Sequence, residues 1–121
     1  MFLDPNGLEI LSPETCRELV GRHEIGRLAF DDNGAITIFP VTYAVIDDHA
    51  VIRTSNGSKV AAGAASRQVA LEIDEIDERR HVGWSVLARG VMEVVTDEAT
   101  IAELDATGLH TWGQPGSQFL R

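Results

Sequence analysis

The segment Arg53-Thr54-Ser55-Asn56-Gly57-Ser58-Lys59 contains the residue types that hold a phosphate group. Arg53 presents a planar fork that can meet two phosphate oxygens at once, and Lys59 adds a point charge. Thr54 and Ser58 bring hydroxyl donors, and Gly57 lets the backbone come close. The segment begins at a strand end and runs into the Ala-rich stretch 58–65, which reads as a short helix capped by Ser58. Free backbone N–H groups at a helix start would then face the same place. Two of its residues are basic and none is acidic, in a chain whose formal net charge is −9. The plainer reading is a polar loop between a strand and a capped helix, with its charges in solvent. The spacing matches neither a Walker loop nor a dinucleotide fingerprint.

Two further places could carry a ligand. In Phe39-Pro40-Val41-Thr42-Tyr43, Pro40 removes one backbone donor, while Thr42 and Tyr43 offer polar groups beside an apolar wall, where a planar heteroaromatic ring could stack. The alternative is a core strand with a bulge or an edge at Pro40. In Gly83-Trp84-Ser85-Val86, Trp84 is costly to expose, so it belongs to the core, an interface or a ligand wall. Other chemistries lack their residues. His23, His49, His81 and His110 have no metal-ligand spacing, so no metal site is expected. Cys16 reads as a core residue on a helix face, no serine sits in a nucleophile elbow, and Glu72, Asp74 and Glu75 read as a solvated strand face. No catalytic residue is identifiable.

The elements that must position these groups follow from local patterns. Ser12-Pro13-Glu14 is a helix start, and Cys16, Leu19, Val20 and His23 then share one helical face. Strands are expected at Ile25–Phe30, Ala35–Ile46 and His49–Thr54, joined by turns at Asp31-Asp32-Asn33-Gly34 and Asp47-Asp48 to form a meander. Val69–Ile76 alternates as a half-buried strand, and a charged loop follows at Asp77–His81. Gly83–Val95 is a second long strand, with a bulge or bend expected at Gly90. Thr96-Asp97-Glu98 opens a last helix to about Thr107. The 121 residues suit one domain, with a dimer helping so short a chain to bury surface. The 10 basic and 19 acidic residues argue against nucleic acid and anionic membranes. One cysteine excludes an internal disulfide, no apolar stretch is long enough to span a bilayer as a helix, and a cytoplasmic location is expected.

The order of these motifs is what identifies a relative. Phe39-Pro40-Val41-Thr42-Tyr43, then Val51-Ile52-Arg53-Thr54, a Gly-Ser-Lys turn, Val69–Asp74 and Gly83–Gly90 together resemble the pyridoxamine 5′-phosphate oxidase-like flavin-binding split barrels, over residues 8–115. The resemblance implies a mainly β fold with some helix: an antiparallel, Greek-key-like split β-barrel flanked by short helices. It also implies a homodimer with flavin sites between the subunits, FMN as the usual cofactor, the deazaflavin F420 as an alternative, and a small-molecule redox substrate. Carried onto this chain, it places the flavin phosphate at Arg53, Thr54, Ser58 and Lys59, the ring at Val41 and Thr42, and Trp84 near the ring or the partner. Thr42 stands where many relatives have Asn. The chain stops just where a final strand is expected after Trp112-Gly113-Gln114-Pro115-Gly116, which leaves that strand open. The activity implied is that of a flavin-dependent oxidoreductase. The alternatives are an F420-dependent reductase, a flavin or haem carrier without turnover, and a cofactor-free dimer scaffold.

Overall fold

The structure, a computed structural model, describes residues 2–3, 8–54, 67–107 and 118–121. Its described elements run β1 (Phe2–Leu3), β2 (Glu9–Ile10), α1 (Pro13–Arg22), β3 (Ile25–Asp32), β4 (Ala35–Ile46), β5 (His49–Thr54), β6 (Arg67–Asp77), β7 (Val82–Met92), α2 (Glu98–Asp105) and β8 (Gln118–Leu120). The first helix starts as its sequence dictates. The Ser12 side chain accepts from the Thr15 N–H, Pro13 occupies the first turn, and Glu14 lies at the positive end of the helix dipole.

Two tight hairpins build the meander β3-β4-β5. Asn33 and Gly34 have φ of 52° and 91°, and Asp47 and Asp48 have φ of 51° and 61°. Such paired left-handed residues match the twist of the flanking strands, which is why these short polar pairs end the strands so sharply. The main sheet has the order β7-β6-β3-β4-β5-β8, antiparallel at every step. It closes on itself. Past the end of β7 the chain turns onto β8, where Glu93 and Arg121 exchange backbone hydrogen bonds of 2.8 and 3.0 Å and Val95 N–H reaches the Phe119 carbonyl at 2.9 Å. Val94 pairs with Leu120 there. The strand expected as far as Val95 therefore ends at Met92, and its last residues serve the barrel seam. A final strand is present at Gln118–Leu120.

Alternation along each strand decides what lies inside. Leu28, Phe30, Val41, Tyr43, Ile52, Leu71, Ile73, Met92 and Leu120 fill the barrel. Each such side chain, taken fully out of water, contributes about 1.5–3 kcal/mol, less the entropy of ordering it. A smaller cluster lies outside the wall, where Leu104 and Ile101 of α2 pack on Val51, Val95 and Phe119. Helix α1 covers the barrel through Val20, whose carbonyl accepts a hydrogen bond from the buried Tyr43 hydroxyl.

The bulge expected at Gly90 is absent, and so is the bulge that was one of two readings of Pro40. Gly90 pairs with Val69 in a β6–β7 register that runs unbroken from Arg67↔Met92 to Asp77↔Val82, so no bulge exists there. Pro40 pairs with Arg27 in an equally unbroken β3–β4 register, so it is not a bulge either. Among the described residues it lies on an edge of β4, the other reading of its sequence. Tyr43 N–H points to Glu24 on the β3 side, so even-numbered residues of β4 point their backbone groups the other way. On that side β5 pairs only with Tyr43–Ile46. The helix expected at 58–65 lies outside the described residues.

Candidate functional site

The hairpin β4-β5 carries the candidate residues because its two strands part company at one point. Ile52 is the last β5 residue paired with β4, opposite Tyr43, and the first paired with β8, opposite Leu120. One residue past that last pair come Thr42 on β4 and Arg53 on β5, and Arg53 has already changed partner to Phe119 of β8. Both belong to the outward-facing rows, since Val41, Tyr43 and Ile52 on either side of them point into the core. A hydroxyl and a guanidinium thus both lie on the outer face, each one residue past the last β4–β5 pair.

Arg53 is held in a defined place. Its side chain is 21% exposed, and its Nη2 lies 2.7 Å from Oδ1 of Asp105, the last residue of α2. Its guanidinium carbon sits 4.9 Å from the centre of the Phe119 ring, on the β8 residue it pairs with. A cation against an aromatic face is attracted by the ring quadrupole and keeps its N–H fork in a fixed plane. Such a pre-set fork fits a phosphate oxygen pair.

The other expected site residues divide. Thr54 continues β5 directly after Arg53. Val41 is in the barrel core at 7% exposure, and its backbone pairs with Gly26, so it supports Thr42 from beneath and keeps its side chain out of solvent. Trp84 lies on β7, three strands away from β4 in the sheet order. It packs on the core and meets His23 edge-on, ring centres 5.1 Å apart at 62°. His23 Nε2 is also 3.5 Å from Glu75 Oε2, so Trp84 and His23 together tie the end of α1 to β6 and β7. Ser58 and Lys59 lie outside the described residues.

Sequence reasoning missed two features. Asp105 reaches Arg53 from half the chain away, with no local motif to announce it. The carboxylates of β6 are also not a plain solvated face. Arg27 Nη1 is 3.1 Å from Asp74 Oδ2 and 3.9 Å from Glu72 Oε1. The Glu72 Oε1 atom is sealed from solvent and has no hydrogen-bond partner. Burial pushes the Glu72 carboxyl up from its ordinary value, the neighbouring Asp74 carboxylate adds to this, and Arg27 opposes it. Alternation alone shows which face a residue is on, not what covers it. Among the described residues no group of three His, Cys, Asp or Glu side chains could hold a metal, and no helix is long and apolar enough to cross a membrane.

An antiparallel barrel, closed at 93–95 and parted between β4 and β5, defines a split-barrel protein. The chain belongs to the pyridoxamine 5′-phosphate oxidase family, whose model matches residues 12–120. It is 34% identical over 117 residues to an uncharacterized protein of Mycobacterium tuberculosis, covering 84% of this chain and 76% of that one. Its fold matches the FAD binding protein from Mycobacterium smegmatis with a TM-score of 0.75 and 30% identity, over 93% of this chain and 88% of that one. A protein of Corynebacterium glutamicum provisionally assigned as a pyridoxamine 5′-phosphate oxidase matches with a TM-score of 0.77 and 25% identity, over 93% and 83% of the two chains.

Proposed function

We propose that this protein is a cytoplasmic flavin-dependent oxidoreductase that binds FMN as a homodimer, with the flavin phosphate on Arg53. The observation that carries this reading is the place of Arg53 just past the last β4–β5 pair, with its guanidinium backed by Phe119. Thr54, Ser58 and Lys59 follow Arg53 in the chain and would complete the phosphate shell. Thr42 would offer its hydroxyl to the ring, and Trp84 would serve the ring or the second copy from β7. The bound flavin supplies hydride chemistry at its own ring, and the protein supplies placement and exclusion of water.

The FAD bound by the M. smegmatis relative favours FAD as the second reading. FAD, FMN and F420 all carry a phosphate on the ribityl chain, so Arg53 would meet the same group in each. The acidic tail of F420 is disfavoured by a chain of net charge −9. A second copy suits the outward face of the sheet. Ile25, Ile36, Ile38, Leu87 and Val91 are exposed there, Ile36 by 83%. A hollow of about 580 Å³ lies on this face between Ile36 and Val91, over Ala29 and Ala70. Apolar surface of this extent usually marks an interface.

The test is a fluorescence titration of the purified protein with FMN, FAD and F420, repeated with Arg53→Ala. Saturable binding that drops about tenfold or more in the variant is expected, since one charge-assisted contact contributes roughly 1.5–3 kcal/mol. Equal affinity of parent and variant would refute the phosphate site. Bleaching of the bound flavin by NADPH, and its recovery with an acceptor, separates an oxidoreductase from a flavin carrier.

A further inference from the structure

The contact between Arg53 and Asp105 has a consequence for ligand binding that rests on the phosphate reading above. We infer that Asp105 is an internal stand-in for the phosphate, which holds Arg53 in the ligand-free protein and must yield it when the flavin arrives. Asp105 Oδ1 lies 2.7 Å from Arg53 Nη2, at the hydrogen-bonding distance a phosphate oxygen would take. The carboxylate neutralises the Arg53 guanidinium, and an incoming phosphate meets it as a like charge.

The contact is built to be exchanged. The Asp105 side chain is 61% exposed, and ion pairs this open to water are weak. Asp105 also ends α2, where the helix dipole is negative and no basic residue occupies the last turn, so its charge does not favour the helix it belongs to. Helix α2 is anchored by Ile101 and Leu104 on Val51, Val95 and Phe119, which do not depend on Asp105. Arg53 for its part keeps the Phe119 ring behind it when Asp105 leaves. A phosphate brings more charge and more acceptor oxygens than one carboxylate, so it wins the exchange at a cost in affinity.

The experiment compares FMN with riboflavin, which lacks the phosphate, on the parent, Asp105→Asn and Arg53→Ala, by flavin fluorescence. Asp105→Asn should bind FMN about two- to fivefold more tightly than the parent, with riboflavin unchanged, the size expected from removing an exposed ion pair. Arg53→Ala should lose the preference for FMN over riboflavin. If Arg53→Ala loses that preference while Asp105→Asn binds FMN no better, the exchange is overturned and Asp105 is at most a positioning residue for Arg53. If Arg53→Ala keeps the preference, or the parent binds neither flavin, the phosphate reading falls and the exchange falls with it.

Discussion

Tyr43 is the only tyrosine in the chain, which makes the docking of α1 on the barrel open to a direct measurement. Its ring is 2% exposed within the core, and its hydroxyl donates to the Val20 carbonyl near the end of α1. Tyr43→Phe keeps the ring and removes that one bond. A net loss of about 1 kcal/mol is expected at neutral pH, seen as a fall of roughly 3–5 °C in the unfolding midpoint. Burial also pushes the Tyr43 hydroxyl up to about 12, from 10.0. The folded state therefore holds this proton through a range where the unfolded chain has released it. The parent's stability is intact below the unfolded value and falls as pH rises from there toward the folded value. At about pH 11 the parent loses about 1.4 kcal/mol by this route, whereas Tyr43→Phe loses nothing. The gap between the two proteins should close or reverse there, because every other titrating group is common to both. Denaturant unfolding at the two pH values gives the stabilities, and tyrosinate absorbance gives the titration of Tyr43 alone. A gap that stays constant into alkali, or a hydroxyl that titrates in the folded protein as it does in the unfolded one, would refute the buried pin.

Two glycines in β7 should respond oppositely to alanine. A Cβ on Gly83 would stand 2.5 Å from the Glu75 carbonyl oxygen, a backbone atom that cannot swing aside, so Gly83→Ala should cost roughly 1–3 kcal/mol. A Cβ on Gly90 meets no atom within 4 Å, so Gly90→Ala should be tolerated or add up to about 1 kcal/mol through the unfolded chain. Urea unfolding of both variants checks this, and the opposite order would mean that the β6–β7 register is wrong. For Glu72, the raised carboxyl makes the parent lose stability as pH climbs above the ordinary value of 4.5. Glu72→Gln escapes that loss, so it should be the more stable protein at neutral pH. The advantage should vanish below the ordinary carboxyl value, and a variant weaker than the parent at neutral pH would show that the pull of Arg27 outweighs burial.

The elements most legible in the sequence are those with local causes. Ala35–Ile46 and His49–Thr54 could be bounded to the residue because Asn33-Gly34 and Asp47-Asp48 are turn pairs whose backbone preference does not depend on the rest of the chain. Ser12-Pro13-Glu14 fixed the start of α1 for the same reason. What could not be read is what depends on distant partners. Glu93-Val94-Val95 has strand composition, and only its pairing with Phe119–Arg121 shows that it closes the barrel instead of prolonging β7. Gly90 looked like a bulge because glycine is rare in strands, yet the β6–β7 ladder passes it unaltered. At the candidate site, Arg53 was legible as a cation at a strand end, and Thr42 as a polar residue beside Pro40 within a strand. That Asp105 holds Arg53, and that Phe119 lies behind it, required the barrel to bring β8 and α2 to the same place.

Pro40 bears on how the parting of β4 and β5 could serve the proposed ligand instead of being a weak point. Beyond Thr42, the side of β4 turned away from β3 has no partner strand among the described residues. An open strand edge is a template for pairing with another chain. Pro40 occupies the next even position along that edge, and it has no N–H to donate. This run of β4 is therefore a poor template for an added strand. A planar ring whose rim carries hydrogen-bond donors does not need a regular ladder to bind there; it needs acceptors at an edge, a hydroxyl such as Thr42, and a cation for its charged tail. The residue that breaks the strand-pairing pattern is thus compatible with the proposed ligand and unfavourable to the competing use of the same edge.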